Sequence, residues 1–241
     1  MYIFFDNEEA DIEDIRAQYD VTVVWDASEI PSEALVLHYT PELVSLECGA
    51  LQMHGDLTTM LPRIKRLGQE MLIKAAKPKN FQGEPLAVDA TAGMGEDSIL
   101  LAAAGFRVKL FEYNPVIATL LADSLRRGAQ DPEIGEIVGR MELVPGDSIT
   151  GIRNLSERAD VIYLDPMFPE RQKSGLIKKK FQLLQQLERP CDDEDALFAA
   201  AREAAPKKLI VKRPLKGPFL AGAKPGYSVS GKAIRYDCFA F

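Results

Sequence analysis

The chain has 241 residues, 46% of them apolar and 27% charged, with a formal net charge of −7. This is the composition of a globular chain with a sizeable core, and it excludes a disordered, collagen-like or disulfide-stapled protein. No apolar run approaches the ~18 residues a membrane-spanning helix needs, and Glu8, Glu9, Asp11, Glu13 and Asp14 leave no basic, apolar leader, so the start does not read as a signal peptide.

Residues 1–60 read as a small acidic α+β lobe. Apolar runs at 2–5 and 21–25 predict strands, with a helix over 8–19 between them. Runs at 34–38, 43–47 and 51–54 predict a small meander, with turns at Thr40-Pro41 and Cys48-Gly49. Up to residue 61 there are 13 acids and one base, Arg16, whereas residues 62–241 hold 28 bases and 23 acids. The negative total therefore belongs to the first lobe, and it does not exclude a nucleic-acid partner for the rest. His38 and His54 both fall in the meander, with no G-x-S-x-G and no acid placed to orient them, so a hydrolase site is not expected.

Residues 61–84 read as a basic helix over 61–79, bearing Arg63, Lys65 and Arg66, and a linker. From 85 to 241 strands and helices alternate. Strands are expected at 86–89, 107–111, 141–144, 160–164 and 208–212, with helices at 97–104, 115–127 and 194–204 and a closing hairpin at 227–230 and 235–241. Asn114 before Pro115 suits a helix start. Such alternation predicts a parallel sheet with helices on both faces and a ligand beyond the carboxyl ends of the strands. Cys48, Cys191 and Cys238 are far apart with no CxxC pair, and no His/Asp/Glu cluster has ligand spacing, so no metal and a reducing, cytoplasmic setting are expected.

The chemistry gathers at those strand ends. Asp89-Ala-Thr-Ala-Gly93-Met-Gly95-Glu96-Asp97 is a small-residue loop that opens a helix. It is neither a dinucleotide fingerprint nor a phosphate loop, and Glu96 and Asp97 would repel a pyrophosphate. The same acids suit a cation, which favours S-adenosylmethionine (SAM) over NAD; acids in a first turn also simply stabilise the helix dipole. Glu112 ends the next strand 19 positions after Gly93, where an acid accepts the ribose hydroxyls of an adenosine ligand. Asp147-Ser148 after the third strand either reads the adenine amino group or caps a helix.

Asp165-Pro166-Met167-Phe168 ends the fourth strand and resembles the Asp/Asn-Pro-Pro-Tyr/Phe signature of amino methyltransferases. An exocyclic amine is a poor nucleophile until an acceptor holds its N–H. Asp165 supplies that acceptor, Pro166 stiffens the loop and Phe168 offers a face for a flipped base. Arg171, Lys173, Lys178, Lys179 and Lys180 follow, and a second acid-free run from 207 to 235 includes Lys212 and Arg213; both runs are read as phosphate contacts.

Taken together, Asp-Ala-Thr-Ala-Gly at 89–93, Leu-Asp-Pro-Met-Phe-Pro at 164–169, Gln-Lys-Ser at 172–174 and Val-Lys-Arg-Pro at 211–214 resemble the small-subunit ribosomal RNA methyltransferase J family over roughly residues 56–240. The resemblance implies a Rossmann-like class I α/β fold with a mostly parallel seven-stranded sheet. It also implies SAM-dependent methylation of a guanosine N2 in 16S rRNA or the small ribosomal subunit. Its cofactor positions carry over to Glu96, Asp97, Glu112, Tyr113, Asp147, Ser148 and Asp165, beside Asp89 and Gly93 from the loop itself. Glu96 and Tyr113 stand where many members have arginine, Asp147 where many have serine, and a His-Arg-Arg stretch is reduced to Arg63–Gly68. The alternatives are a catalytically silent rRNA-binding factor on the same fold and methylation of another nucleic-acid amino group. A nicotinamide dehydrogenase is a further one.

Overall fold

The computed structural model describes residues 1–6, 10–77, 83–166, 183, 187 and 193–241. The N-terminal lobe contains β1 (Tyr2–Phe5), α1 (Glu13–Gln18), β2 (Thr22–Val24), β3 (Leu35–Tyr39), β4 (Val44–Cys48) and β5 (Leu51–Met53). Its five-stranded sheet has the order β2-β1-β3-β4-β5. The expected meander is β3–β5, all antiparallel, while β1 lies parallel to both β2 and β3. Alternation along β1 turns Ile3 and Phe5 inward, both fully buried. They pack with Leu37 and Leu46 and with Val116, Ile117 and Leu120 of a helix in the second lobe, so the two lobes share one core.

The basic stretch is not one helix. It runs as α2 (Leu61–Ile64), a 3₁₀ turn (Leu67–Gln69) and α3 (Met71–Ala76). Gly68 is a poor helix former, costing ~1 kcal/mol against alanine, and Glu70 is extended (φ −66, ψ 127). The Arg63 guanidinium closes the break by donating to both Glu70 carboxylate oxygens at 3.1 and 2.7 Å. α3 then buries Leu72, Ile73, Ala75 and Ala76 against the large sheet.

That sheet is built from β6 (Leu86–Asp89), β7 (Arg107–Glu112), β8 (Met141–Pro145), β9 (Val161–Leu164), β10 (Lys208–Pro214), β11 (Tyr227–Ser230) and β12 (Ile234–Ala240). Its order is β11-β12-β10-β9-β6-β7-β8. The helices between its strands, among those fully within the described residues, are α4 (Glu96–Ala103), α5 (Pro115–Gly128), α6 (Gly135–Val138), α7 (Ser148–Arg153) and α8 (Glu194–Glu203). β10, β9, β6, β7 and β8 are parallel, and the β11–β12 hairpin is added antiparallel to β10. β6 and β9 are buried at every position, as strands covered on both faces must be. Alternate residues serve opposite faces. Ala87, Val161 and Tyr163 pack with α3 and α4, whereas Val88, Ile162 and Leu164 pack with Ile152 of α7 and Leu197 and Phe198 of α8.

This is the Rossmann-like class I arrangement. The chain builds β6, β7 and β8 outward in one direction, then returns to the other side of β6 for β9 and β10. The strand order therefore reverses between β6 and β9, and the crevice beyond their carboxyl ends is where such sheets take ligands. α6 was not expected, and α7 only as one of the two readings at Asp147: at four and six residues both are too short to show helical periodicity. No helix among the described residues is long and apolar enough to cross a membrane.

Candidate active site

The β6–α4 loop supplies the floor of the crevice. Gly93 (φ +54) and Gly95 (φ +77) both adopt the left-handed conformation that glycine tolerates. They face different surroundings. A Cβ on Gly93 would meet nothing within 4 Å, so its backbone is open to a ligand, whereas one on Gly95 would lie 2.9 Å from Leu121 Cδ1. Gly95→Ala is accordingly expected to cost about 1–3 kcal/mol from the strained φ and the overpacked contact, read as a lower midpoint in urea unfolding. Asp89 lies beneath this loop, 1% exposed, rather than on its ligand side. It accepts from Ser98 Oγ at 2.5 Å and from the Thr91 amide at 3.1 Å. Burial pushes its carboxyl up to about 7, against the pull of those two bonds.

Glu112, at the end of β7, is fixed by two backbone amides: Gly93 N donates to Oε2 at 2.9 Å and Asn114 N to Oε1 at 2.8 Å. The spacing of 19 residues thus becomes a direct contact between the glycine loop and the acid. Asn114 caps α5 as expected, its Oδ1 accepting from Val116 N and Ile117 N. Tyr113 is 63% exposed and Glu96 is exposed as well. At the end of β8, Gly146 (φ +118) turns the chain into α7. Asp147 caps that helix, accepting from the amides of Ile149 (3.2 Å) and Thr150 (2.9 Å) and from Thr150 Oγ1 (2.6 Å), with Ser148 as the first helical residue. Of the two readings left open at Asp147, helix capping is the one these bonds realise.

Asp165 and Pro166 follow β9 directly across the switch point from the glycine loop. The Asp165 amide donates to Thr91 Oγ1 at 2.7 Å, tying the two strand-end loops together. Lys212, on the neighbouring β10, places its ammonium between Asp165 Oδ2 (2.8 Å) and Asp97 Oδ2 (2.7 Å). Asp97 also accepts from Tyr163 Oη at 2.7 Å and lies 3.8 Å from Arg63. Burial alone would raise Asp97, but Lys212, Tyr163 and Arg63 hold its carboxyl below the usual value. Burial likewise opposes the charge on Lys212, and the two carboxylates overcome it and raise the ammonium well above its usual value.

The basic residues distribute differently from the phosphate-facing surface expected of them. Lys212 is turned into the acidic crevice. Arg213 is 3% exposed, donating from Nε to the Pro218 carbonyl and pairing with Glu194 at 3.4 Å. Arg235, 7% exposed, donates from Nη1 to the carbonyls of Pro214, Leu215 and Gly217 at 2.8–2.9 Å and from Nε to Asp237. Lys212, Arg213 and Arg235 of the acid-free run thus serve as internal scaffold, because β10 and β12 lie inside a sheet covered on both faces, whereas Lys207 and Lys224 stay exposed. Lys216 and Lys232 remain exposed at this end of β10, where Pro214 pairs with Ile234. Lys65 pairs with Glu133 on the surface, and exposed Arg66 donates from Nε to the Pro62 carbonyl. Phe168, Arg171, Lys173, Lys178, Lys179 and Lys180 lie outside the described residues. Among the described residues no group of three or more His, Cys, Asp or Glu could hold a metal.

A family model described as "Putative SAM-dependent methyltransferase" matches residues 33–241. A Ribosomal RNA small subunit methyltransferase J from Serratia proteamaculans is 38% identical over 224 residues, covering 89% of this chain and 90% of its own. The chain belongs to the small-subunit ribosomal RNA methyltransferase J family. Its match to the relative from Pseudomonas syringae pv. tomato is 47% identical over 156 residues, 64% of this chain and 58% of that one. The one from Aeromonas salmonicida matches at 48%, over 64% of this chain and 63% of its own. The chain thus spans about three fifths of the length of these two relatives. A crystal structure of a SAM-dependent methyltransferase from Neisseria gonorrhoeae superposes with a TM-score of 0.76 at 31% identity, covering all of this chain and 96% of that one.

The crevice fits S-adenosylmethionine on chemical grounds. It offers an open glycine backbone at Gly93, a carboxylate held at the strand edge at Glu112, and further carboxylates at Asp97 and Asp165. A ligand with ribose hydroxyls, a sulfonium and no phosphate matches that set. The residues missed from sequence are Tyr163, whose hydroxyl reaches Asp97, and Thr91, which joins the two loops. Tyr163 did leave a signal, being the one polar-tipped side chain inside an otherwise aliphatic strand.

Proposed function

We propose that this chain transfers a methyl group from SAM to an exocyclic amino group of small-subunit ribosomal RNA, the N2 of a guanosine. The observation that carries the reading is the placement of Asp165-Pro166 at the end of β9, tied through Thr91 to the open glycine loop at the switch point. The names of the relatives support the RNA substrate. The bound cofactor supplies an electrophilic methyl on a sulfonium.

The chain's own residues do the rest. Glu112 holds the ribose hydroxyls, with its carboxylate oriented by the Gly93 and Asn114 amides. Asp165 accepts an N–H of the substrate amine, which frees the nitrogen lone pair from the ring and aims it at the methyl. As the new N–C bond replaces the methyl's bond to sulfur, which would keep that electron pair as a neutral thioether, the nitrogen's extra proton leaves to the Asp165 carboxylate or to solvent. Pro166, buried, keeps that carboxylate's loop from swinging. Lys216 and Lys232 stand at the same strand end as phosphate contacts.

The test is transfer of labelled methyl from SAM to small-subunit particles and to free 16S rRNA from cells lacking the enzyme, followed by nucleoside analysis. Label in N2-methylguanosine is the expected result. Label in another nucleoside would overturn the guanine assignment, and tight RNA binding with no label would favour a silent assembly factor.

A further inference from the structure

We infer that Lys212 is a positioning residue for methyl transfer, its ammonium clamping Asp97 of α4 to Asp165 after β9 so that the second oxygen of Asp165 faces the substrate amine. The inference rests on the amino-methylation reading above. Three elements that are distant in sequence meet in this contact, at 2.7 Å and 2.8 Å from one nitrogen. The side chains of Lys212, Asp97 and Asp165 are only 16%, 14% and 28% exposed.

Two carboxylates hold this ammonium on a side chain that is only 16% exposed, so the RNA contact expected of Lys212 gives way to an internal role. Without the cation, two half-buried carboxylates would face each other and one would take up a proton or turn away. With it, Asp165 Oδ2 is occupied and the carboxylate cannot rotate freely. Among the described residues, those around the clamp are committed elsewhere. Arg63 is committed to Glu70 and stands 3.8 Å from Asp97. Tyr163 donates to the same oxygen of Asp97 as the ammonium does. Tyr236 of β12 bears on the same groups through space, and Asp89 of β6 lies beneath with its carboxyl raised.

The test compares wild type, Lys212→Met and Lys212→Arg. For Lys212→Met, kcat for labelled methyl transfer is expected to fall on the order of 10²-fold, the scale of a small misplacement at a reacting centre. SAM binding, measured by calorimetry, should change less than about tenfold. The acid limb of kcat/KM should move up by about one pH unit or more, because the unclamped pair now shares a proton. Lys212→Arg keeps the charge, so it should hold the wild-type limb and recover part of kcat.

The free protein gives a readout without activity. In wild type the depressed Asp97 carboxyl adds stability that is lost as pH falls. In Lys212→Met the pair is raised instead, so the melting gap to wild type should shrink from pH 7.5 to pH 5. An active wild type beside a Lys212→Met variant with unchanged kcat and acid limb, and a raised KM for RNA alone, would overturn the clamp and restore the phosphate contact. A wild type that transfers no methyl would instead sink the amino-methylation reading. Should Lys212→Met not fold, Lys212→Arg decides: parity with wild type in kcat but a raised KM for RNA overturns the clamp.

Discussion

Asp165→Ala should lose methyl transfer by about 10²–10⁴-fold, the range that a positioned proton acceptor contributes, while SAM still binds within about tenfold of wild type. The loss is expected in kcat and kcat/KM together, because the hydrogen bond from the amine matters most as the nitrogen gives up its lone pair. The Gly93 loop and Glu112 are untouched by the change, since their mutual bond does not pass through Asp165. Single-turnover transfer with labelled SAM, beside calorimetric binding, separates the two effects. Transfer at the wild-type rate would show that Asp165 is not the acceptor. A loss confined to cofactor affinity would place its carboxylate on the cofactor.

The largest stability effect belongs to Arg235. Its guanidinium gathers the carbonyls of Pro214, Leu215 and Gly217, meets Asp237 at 2.9 Å, and carries the Phe219 ring 4.9 Å from its centre. Arg235→Ala would leave Asp237, 1% exposed, with the Ser228 hydroxyl at 2.6 Å as its remaining side-chain partner among the described residues, and would strip three carbonyls of their donor. Breaking a buried pair in this way costs about 3–5 kcal/mol, which for a chain of this size lowers Tm by roughly 10 °C. Thermal melts followed by circular dichroism measure it. Arg235→Lys should recover little, because a point charge cannot span the carbonyls that the planar fork reaches. A loss under about 1 kcal/mol would mean that the loop after β10 is held by something else.

Much of this architecture was legible before any coordinates. The alternation from residue 85 onward fixed the parallel sheet, and the strand ends at Asp89, Glu112 and Asp165 marked the crevice, because strands buried on both faces leave only their carboxyl ends for ligands. Asn114 read correctly as a cap for α5, since the Asn-Pro pair has a local meaning. What failed was anything decided by partners far away in sequence. The bases of β10 and β12 looked like a phosphate track because a count of charges does not know which way a strand side chain points. Lys212 and Asp97 are 115 residues apart, and only the pairing of β10 with β9 brings the lysine to Asp165. The basic helix broke for a local reason, Gly68 and the extended Glu70 interrupting it while Arg63 pairs with Glu70 across the break.

The packing of the acidic lobe against α5 limits how the chain can be divided. Val116, Ile117 and Leu120 of that helix are covered by the first sheet. Asn114, at its cap, also donates to Tyr19 Oη at 2.7 Å, and Gln18 reaches the Tyr113 carbonyl at 3.5 Å. A catalytic fragment cut at residue 61 or 85 would therefore bare an apolar stripe and leave the turn after Glu112 unbraced. The acidic lobe thus braces the strand end that carries Glu112, and a fragment cut at the boundary its charge marks is expected to be less stable than the whole chain.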